Sequence, residues 1–322
     1  MLGKIYKYTP YRRAFFENFL IRGSQKYALN DPFELRPSSS HIRSKSKKEI
    51  FDKLSKASYF DYSIVSLTET NNNLLMWSHY ADQHKGIVIE FDYNHQIFDS
   101  YKSFPVFDFD NEEDAYIKNS IETERVNNIN AGKIQKVYYN NMRPNIKRFD
   151  SILEHFLIKS DEWIYEKEHR VILPLVTADY IIINKKYLPD VELSISSSGI
   201  EEIIYIGDNM AMVNIKDCMY KDAQEILYHC SSPFLTEEEN IQTYIDATYS
   251  QYLRDLSEDP TTIFLYKVPP KSIKSVYMGC RMEDRHKKEL KSLLRNNSQL
   301  KHVKLYETIT SQDRFELEFK KS

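Results

Sequence analysis

Glu166 and Glu168 stand two residues apart, and Arg170 follows at the same interval within the charged segment Lys159 to Arg170. If the chain is extended from Ile164 onward, a period of two puts Glu166, Glu168, Arg170 and Ile172 on one strand face. The two carboxylates then lie about 7 Å apart. One can orient a hydroxyl while the other handles a proton or opposes developing positive charge. Arg170 beside them lowers their pKa values and keeps both ionised. A salt-bridged strand edge would use the same residues with no chemistry at all.

Two further clusters carry candidate groups. Asn30-Asp31-Pro32-Phe33-Glu34 is a turn former, with Pro32 biasing Asp31 toward extended backbone and Glu34 available as a carboxylate. The segment from Asn73 to Gly86 holds Met76, Trp77, His79, Tyr80, Asp82 and His84. Histidines five residues apart do not share a helix face, so no metal site is expected there. Met76 and Trp77 are more often core than cofactor contacts, although Trp77 and Tyr80 can still wall a pocket that accepts a planar ring. Cys230 follows His229 on an apolar helical face and reads as a buried structural thiol.

The elements that must position these groups follow from periodicity. Lys4 to Tyr8, Asp61 to Thr68 and Lys85 to Phe91 read as strands, as do His169 to Leu173, Tyr180 to Ile183 and Glu202 to Ile206. Thr262 to Val268, Ser275 to Met278, Val303 to Glu307 and Phe315 to Phe319 close the chain as strands. Helices are expected over Tyr11 to Ile21, Asn73 to Asp82, Ile146 to Leu157, Met219 to Cys230 and Glu283 to Leu294. Another begins at the capping box Thr236-x-x-Glu239. The pattern predicts a single α+β domain over 1–322, with mixed or antiparallel sheets and peripheral helices. A mobile basic loop is expected at 36–50, an acidic loop at 107–114 and a helical insertion at 208–260. Two segments echo one another, Gly199 to Gly207 and Ser272 to Gly279, each a strand ending in glycine.

Composition narrows the function classes. The chain has 322 residues, 41% hydrophobic and 28% charged, which supports a sizeable core. A net charge of −3 gives no general attraction for nucleic acid or anionic membrane. With only 7 glycines, neither a Gly-x-Gly-x-x-Gly fingerprint nor a phosphate loop can be written. Rossmann dehydrogenases, P-loop ATPases and Gly-loop kinases are set aside on that ground. The 3 cysteines, Cys218, Cys230 and Cys280, are widely spaced, which excludes a zinc ribbon and suits reduced thiols in a cytoplasm. No signal peptide and no apolar stretch of about 18 residues is seen, so a soluble cytoplasmic protein with no membrane partner is expected.

Taken in chain order, these clusters resemble the bacterial family called domain of unknown function 2971. The resemblance rests on Lys7-Tyr8, Asn30 to Glu34, Leu75 to Asp82, His84-Lys85-Gly86, Ile89 to Asp92 and Trp163-x-Tyr165-Glu166-x-Glu168-x-Arg170, spanning residues 4–307. It carries no settled activity. A looser similarity is to ADP-ribosyltransferases, which present a basic residue on a first strand, a Ser-x-Ser type segment on a second and Glu-x-Glu on a later one. Here Lys7-Tyr8, Ser66-x-Thr68 and Glu166-x-Glu168 stand in that order, with Lys7 where that group has Arg or His. That similarity implies NAD as substrate. It makes Glu168 the binder of the nicotinamide ribose and Glu166 the group that positions the acceptor. Tyr8 and Trp77 would flank the nicotinamide, and Lys7 or Arg12 would meet the pyrophosphate. It also implies a macromolecular acceptor, protein or nucleic acid, and an effector role as a toxin or in anti-phage defence.

Two alternatives come from other classes. Glu34, Glu90, Asp92, Glu166 and Glu168 are hard oxygen ligands for a metal-dependent nuclease or phosphoesterase, with Lys159 or Lys167 at the phosphate. A non-enzymatic interaction module would use the clusters for turns and salt bridges and bind a protein partner through 208–260.

Overall fold

The structure, a computed structural model, describes residues 3–36, 38, 43–45, 48–49, 60–94, 96–98, 132–143, 155–195, 203–228, 231–233 and 235–322. The acidic loop expected at 107–114, most of the basic loop at 36–50, most of the helix expected at 146–157 and the His229–Cys230 pair lie outside these residues.

The N-terminal half supplies β1 (Lys4–Thr9), β2 (Leu20–Gly23), β3 (Tyr62–Thr68), β4 (Ile87–Asp92), β5 (Ile134–Lys136), β6 (Tyr138–Tyr139) and β7 (Ile158–Lys159). The remainder supplies β8 (Glu168–Pro174), β9 (Tyr180–Asn184), β10 (Ile203–Ile206), β11 (Met210–Asn214), β12 (Ile263–Lys267), β13 (Ile273–Met278), β14 (Lys304–Thr310) and β15 (Leu317–Lys321). Apart from β6 and β7, which pair with each other in parallel, they form an eight-stranded mixed sheet, ordered β15-β14-β13-β4-β1-β3-β8-β5, and a five-stranded antiparallel sheet, ordered β10-β11-β9-β12-β2. Only β13 and β14 pair in parallel within the larger sheet. The chain is therefore an α+β protein. No helix among the described residues is long and apolar enough to cross a membrane.

Alternation along the strands divides the interior. Val65 and Leu67 on β3, and Val171 and Leu173 on β8, join Ile181, Ile183 and Phe264 of the smaller sheet in the main core. The intervening residues of β3 and β8 point to the other face. There Tyr6, Tyr8, Met76, Trp77 and Tyr277 make a second apolar cluster. Every residue of β8 is buried, its polar members Glu168, His169 and Arg170 included.

The helix expected over Tyr11 to Ile21 is only a short α1 (Phe15–Asn18). Phe19 takes the left-handed conformation, φ 59°, which ends the helix and turns Leu20 and Ile21 into β2 against β12. Aromatic residues fill helix and strand faces alike, so hydrophobic pattern did not separate the two here. The helix expected at 73–82 is α2 (Leu74–Tyr80), with Asn73 capping the Leu75 and Met76 amides. Residues 208–260 form more than a helical insertion. They supply β11 to the smaller sheet, α4 (Ile215–Leu227), which follows α3 (Leu188–Ile195), and α5 (Glu237–Ser257). Helix α5 buries Ile241, Ile245, Tyr249, Leu253 and Leu256, and both capping-box hydrogen bonds of Thr236 and Glu239 form. Helix α6 (Asp284–Asn296) occupies the last expected position.

The two echoed glycines do different work. Gly207, φ 57°, makes the left-handed turn between β10 and β11. Gly279 donates its amide to the Gly86 carbonyl at 2.9 Å, and a Cβ there would strike the His84 carbonyl. Because backbone rather than a flexible side chain would have to move, Gly279→Ala is expected to cost about 1–3 kcal/mol. Urea unfolding checks this; an unchanged midpoint would mean the approach is not tight.

Candidate functional site

Strand registry collects the site. Ser66 lies opposite Arg170, and Thr68 opposite Glu168, across the β3–β8 ladder. Pairing of β1 with β3 is limited to Tyr6 opposite Thr68. The two strands are otherwise free to part, and Lys7 reaches across to donate to the Ser66 carbonyl at 2.9 Å. A cavity of about 370 Å³ lies here. It is walled by Tyr6, Lys7 and Tyr8 of β1, by Ser66 and Thr68 of β3, and by Glu168 and Arg170 of β8. Its opposite side is Asn30, Glu34, Met76, His79, Tyr80, Lys159 and Glu166. All three clusters singled out in the sequence thus contribute side chains to one hollow.

Glu166 arrives by a different route from the one spacing suggested. It closes a 3-10 helix, Asp161–Glu166, and Lys167 follows in the left-handed conformation, φ 45°, before β8 begins at Glu168. The two glutamates therefore do not share one strand face. Glu166 is instead held by the Thr68 hydroxyl, which donates to its carbonyl at 2.6 Å.

Their carboxylates meet at one ammonium. Lys159 Nζ lies 2.7 Å from Glu166 Oε2, 3.2 Å from Glu168 Oε2 and 3.2 Å from Glu34 Oε1. Arg170 forms a fork on Glu168, Nε to Oε1 at 2.8 Å and Nη2 to Oε2 at 3.0 Å. Its Nη2 also reaches Glu34 at 2.5 Å, and its Nη1 donates to the Phe156 carbonyl at 2.8 Å. Tyr80 donates to Glu166 Oε1 at 2.5 Å and accepts from Asn30 at 3.1 Å. Three carboxylates thus share two cations, all buried.

This environment separates the two glutamates. Burial alone would raise Glu168, but the charges of Arg170 and Lys159 prevail and hold it at about 2. For Glu166 burial prevails over Lys159 and Tyr80, and its pKa is raised. The expectation that Arg170 would depress both therefore holds for Glu168 and fails for Glu166, whose neighbours are Lys159 and Tyr80. Glu168 also has little left to offer a ligand. Arg170 and Lys159 occupy its oxygens, and the Ser66 hydroxyl hydrogen-bonds it as well. Glu166 retains acceptor capacity on both oxygens, so it, and not Glu168, is placed to touch a hydroxyl or water.

The remaining candidates divide. Lys7, Tyr8, Ser66 and Thr68 line the cavity. Trp77 is fully buried behind Tyr8, with ring centroids 5.4 Å apart, and spends its indole N–H on the Asn71 carbonyl. Arg12 is exposed in the turn after β1 and is not among the lining residues. For a metal, the ligand set does not assemble. Glu90 is held by Tyr277 at 2.6 Å and Lys4 at 3.2 Å, and Asp92 by Lys274 at 3.3 Å. Lys159 occupies the centre of the other three carboxylates. No group of three or more His, Cys, Asp or Glu among the described residues could hold a metal ion. Tyr139, whose hydroxyl accepts from the Glu168 amide at 2.7 Å, gave no sequence signal, because β6 is only two residues long.

A family model described as a protein of unknown function (DUF2971) matches residues 76–171. That is narrower than the stretch over which the motifs resemble the family. It takes in Tyr80, Lys159, Glu166, Glu168 and Arg170, but not the β1 and Glu34 sides of the cavity. No curated protein matches the chain, and no solved structure does. The similarity to ADP-ribosyltransferases receives no support from these comparisons.

Proposed function

We propose that the cavity is an active site cleaving the bond between nicotinamide and ribose in NAD, with transfer to water or to a macromolecular acceptor. The observation that carries this reading is the pair Glu166 and Glu168, which share one ammonium yet are driven to opposite protonation tendencies. Such divergence is the usual mark of two carboxylates with separate tasks.

The chemistry follows from the positions. As the glycosidic C–N bond breaks, its electron pair leaves with neutral nicotinamide, and positive charge develops on the ribose. Glu168, fixed and ionised, opposes that charge through space. Oxygen of water, or of an acceptor hydroxyl, forms the new bond to the anomeric carbon. Glu166 takes the proton released there, with Tyr80 holding its other oxygen in place. Its raised pKa makes it a better base near neutral pH than an ordinary glutamate. The roles first assigned to the two glutamates are thereby redistributed, since Glu168 has no spare capacity for ribose hydroxyls. An effector role in toxicity or anti-phage defence would rest on this consumption of NAD.

Incubation with NAD, alone and with bacterial extract as a source of acceptors, is expected to release nicotinamide, measured by chromatography. Glu166→Gln is expected to lower the rate by about 10²–10⁴-fold with an unchanged melting temperature. No release by the wild-type chain under either condition overturns the reading. A Gln variant as fast as wild type removes Glu166 from it.

A further inference from the structure

A second cavity, of about 310 Å³, adjoins the first, and Glu34 and Lys159 belong to the walls of both. Asp31 and Phe33 of the turn former line it from one side, and Met142 and Arg143, from the segment after β6, line it as well.

Its two carboxylates differ in how they are satisfied. Glu34 spends its oxygens on Lys159 and Arg170. Asp31 is 5% exposed, and its Oδ1 accepts from the Phe33 amide at 2.8 Å, the bond that shapes the turn. Its Oδ2 is shut off from water and has no hydrogen-bond partner among the described residues. Turn formation therefore accounts for one oxygen and leaves the other idle. A buried carboxylate oxygen with neither water nor a donor is unfavourable, and a positively charged N–H group is the partner that relieves it most.

The surroundings suit such a group when it carries an apolar portion. Phe33 and Met142 are large apolar side chains that stand exposed at this cavity. An aromatic face attracts an ammonium, and a thioether packs against irregular apolar shapes. Two cations share the lining. Three carboxylates offset Lys159, and Arg143 is exposed, so water screens its charge. The volume is that of a small-molecule site.

We propose that this second cavity binds a small organic ammonium ion, which donates an N–H to Asp31 Oδ2 and lays its apolar portion against Phe33 and Met142. The site is separate from the proposed NAD chemistry and does not rest on it.

The full-length chain is melted with 2-phenylethylammonium chloride, against sodium chloride at equal ionic strength and against 2-phenylethanol, which has a similar shape without the charge. The ammonium ion is expected to raise the melting temperature in a saturable manner, and the alcohol to bind about tenfold more weakly. Asp31→Asn keeps an oxygen for the Phe33 amide but puts an N–H₂ in place of the idle acceptor, and should weaken the ammonium ion about tenfold. Phe33→Ala, at an exposed position, should weaken it about threefold, and carries the test should Asp31→Asn fail to fold. Glu166→Gln should respond as wild type does, because Glu166 lines only the first cavity. The site is overturned if the ammonium ion does not stabilise wild type, if the alcohol binds as tightly, or if Asp31→Asn and Phe33→Ala respond as wild type does. Loss of the response in Glu166→Gln alone would also overturn it, by placing the ion in the first cavity.

Discussion

Replacing Arg170 by methionine is expected to destabilise the folded chain by about 3–5 kcal/mol, the usual effect of removing one partner from a buried charge network. Arg170 is 1% exposed and touches Glu34, Glu168 and the Phe156 carbonyl together. Without it, Lys159 faces three carboxylates alone. The carboxylates are almost fully buried, so water entering through the cavity replaces the lost hydrogen bonds only in part. Total stabilities of folded domains are only about 5–15 kcal/mol, which makes this a large fraction. The melting temperature should fall by roughly 10 °C, at a few degrees per kcal/mol for a chain of this size. The double variant Arg170→Met, Glu34→Gln should recover part of the loss, because it removes one of the stranded charges along with the cation. A single variant that melts within 2 °C of wild type would show that the network is hydrated and the site more open than its geometry implies.

That network explains how far the sequence could be read. Strands rich in β-branched residues were legible, because alternation and burial act locally; β3, β4, β8, β9 and β12 all lie where pattern places them. The convergence of Glu34, Tyr80 and Glu168 was not legible as geometry. It depends on Ser66 lying opposite Arg170 and on Thr68 anchoring the Glu166 carbonyl, which are register and long-range facts. Spacing even gave a wrong reason for a correct meeting. A left-handed Lys167, which no rule for a non-glycine residue predicts, breaks the strand between the two glutamates and still delivers both to Lys159. Nor could residue type alone show that Trp77 sits behind Tyr8. An aromatic beside a helical apolar stripe is more often core, as Trp77 is, yet its type alone also fits a pocket wall.

Acid should separate the two glutamates in solution. Glu168 has a folded pKa of about 2 against an ordinary 4.5, so it contributes stability above pH 4.5 that is lost as the pH falls toward 2. The full contribution is about 3 kcal/mol, of which about 2 should be gone by pH 3. Other carboxylates titrate over the same range, so the informative quantity is the stability difference between wild type and Glu168→Gln. Urea unfolding from pH 6 to pH 3 should show that difference shrinking by about 2 kcal/mol. A difference that stays constant would mean Glu168 is not depressed. Glu166 has the opposite sign. Its raised pKa means that protonation favours the folded state as the pH drops, and Glu166→Gln should abolish that small gain. The same proton that relieves Glu166 also removes its capacity as a base. Activity should therefore decline on the acid side at a higher pH than stability does, and an acid limb coincident with unfolding would leave Glu166 no part in moving the proton.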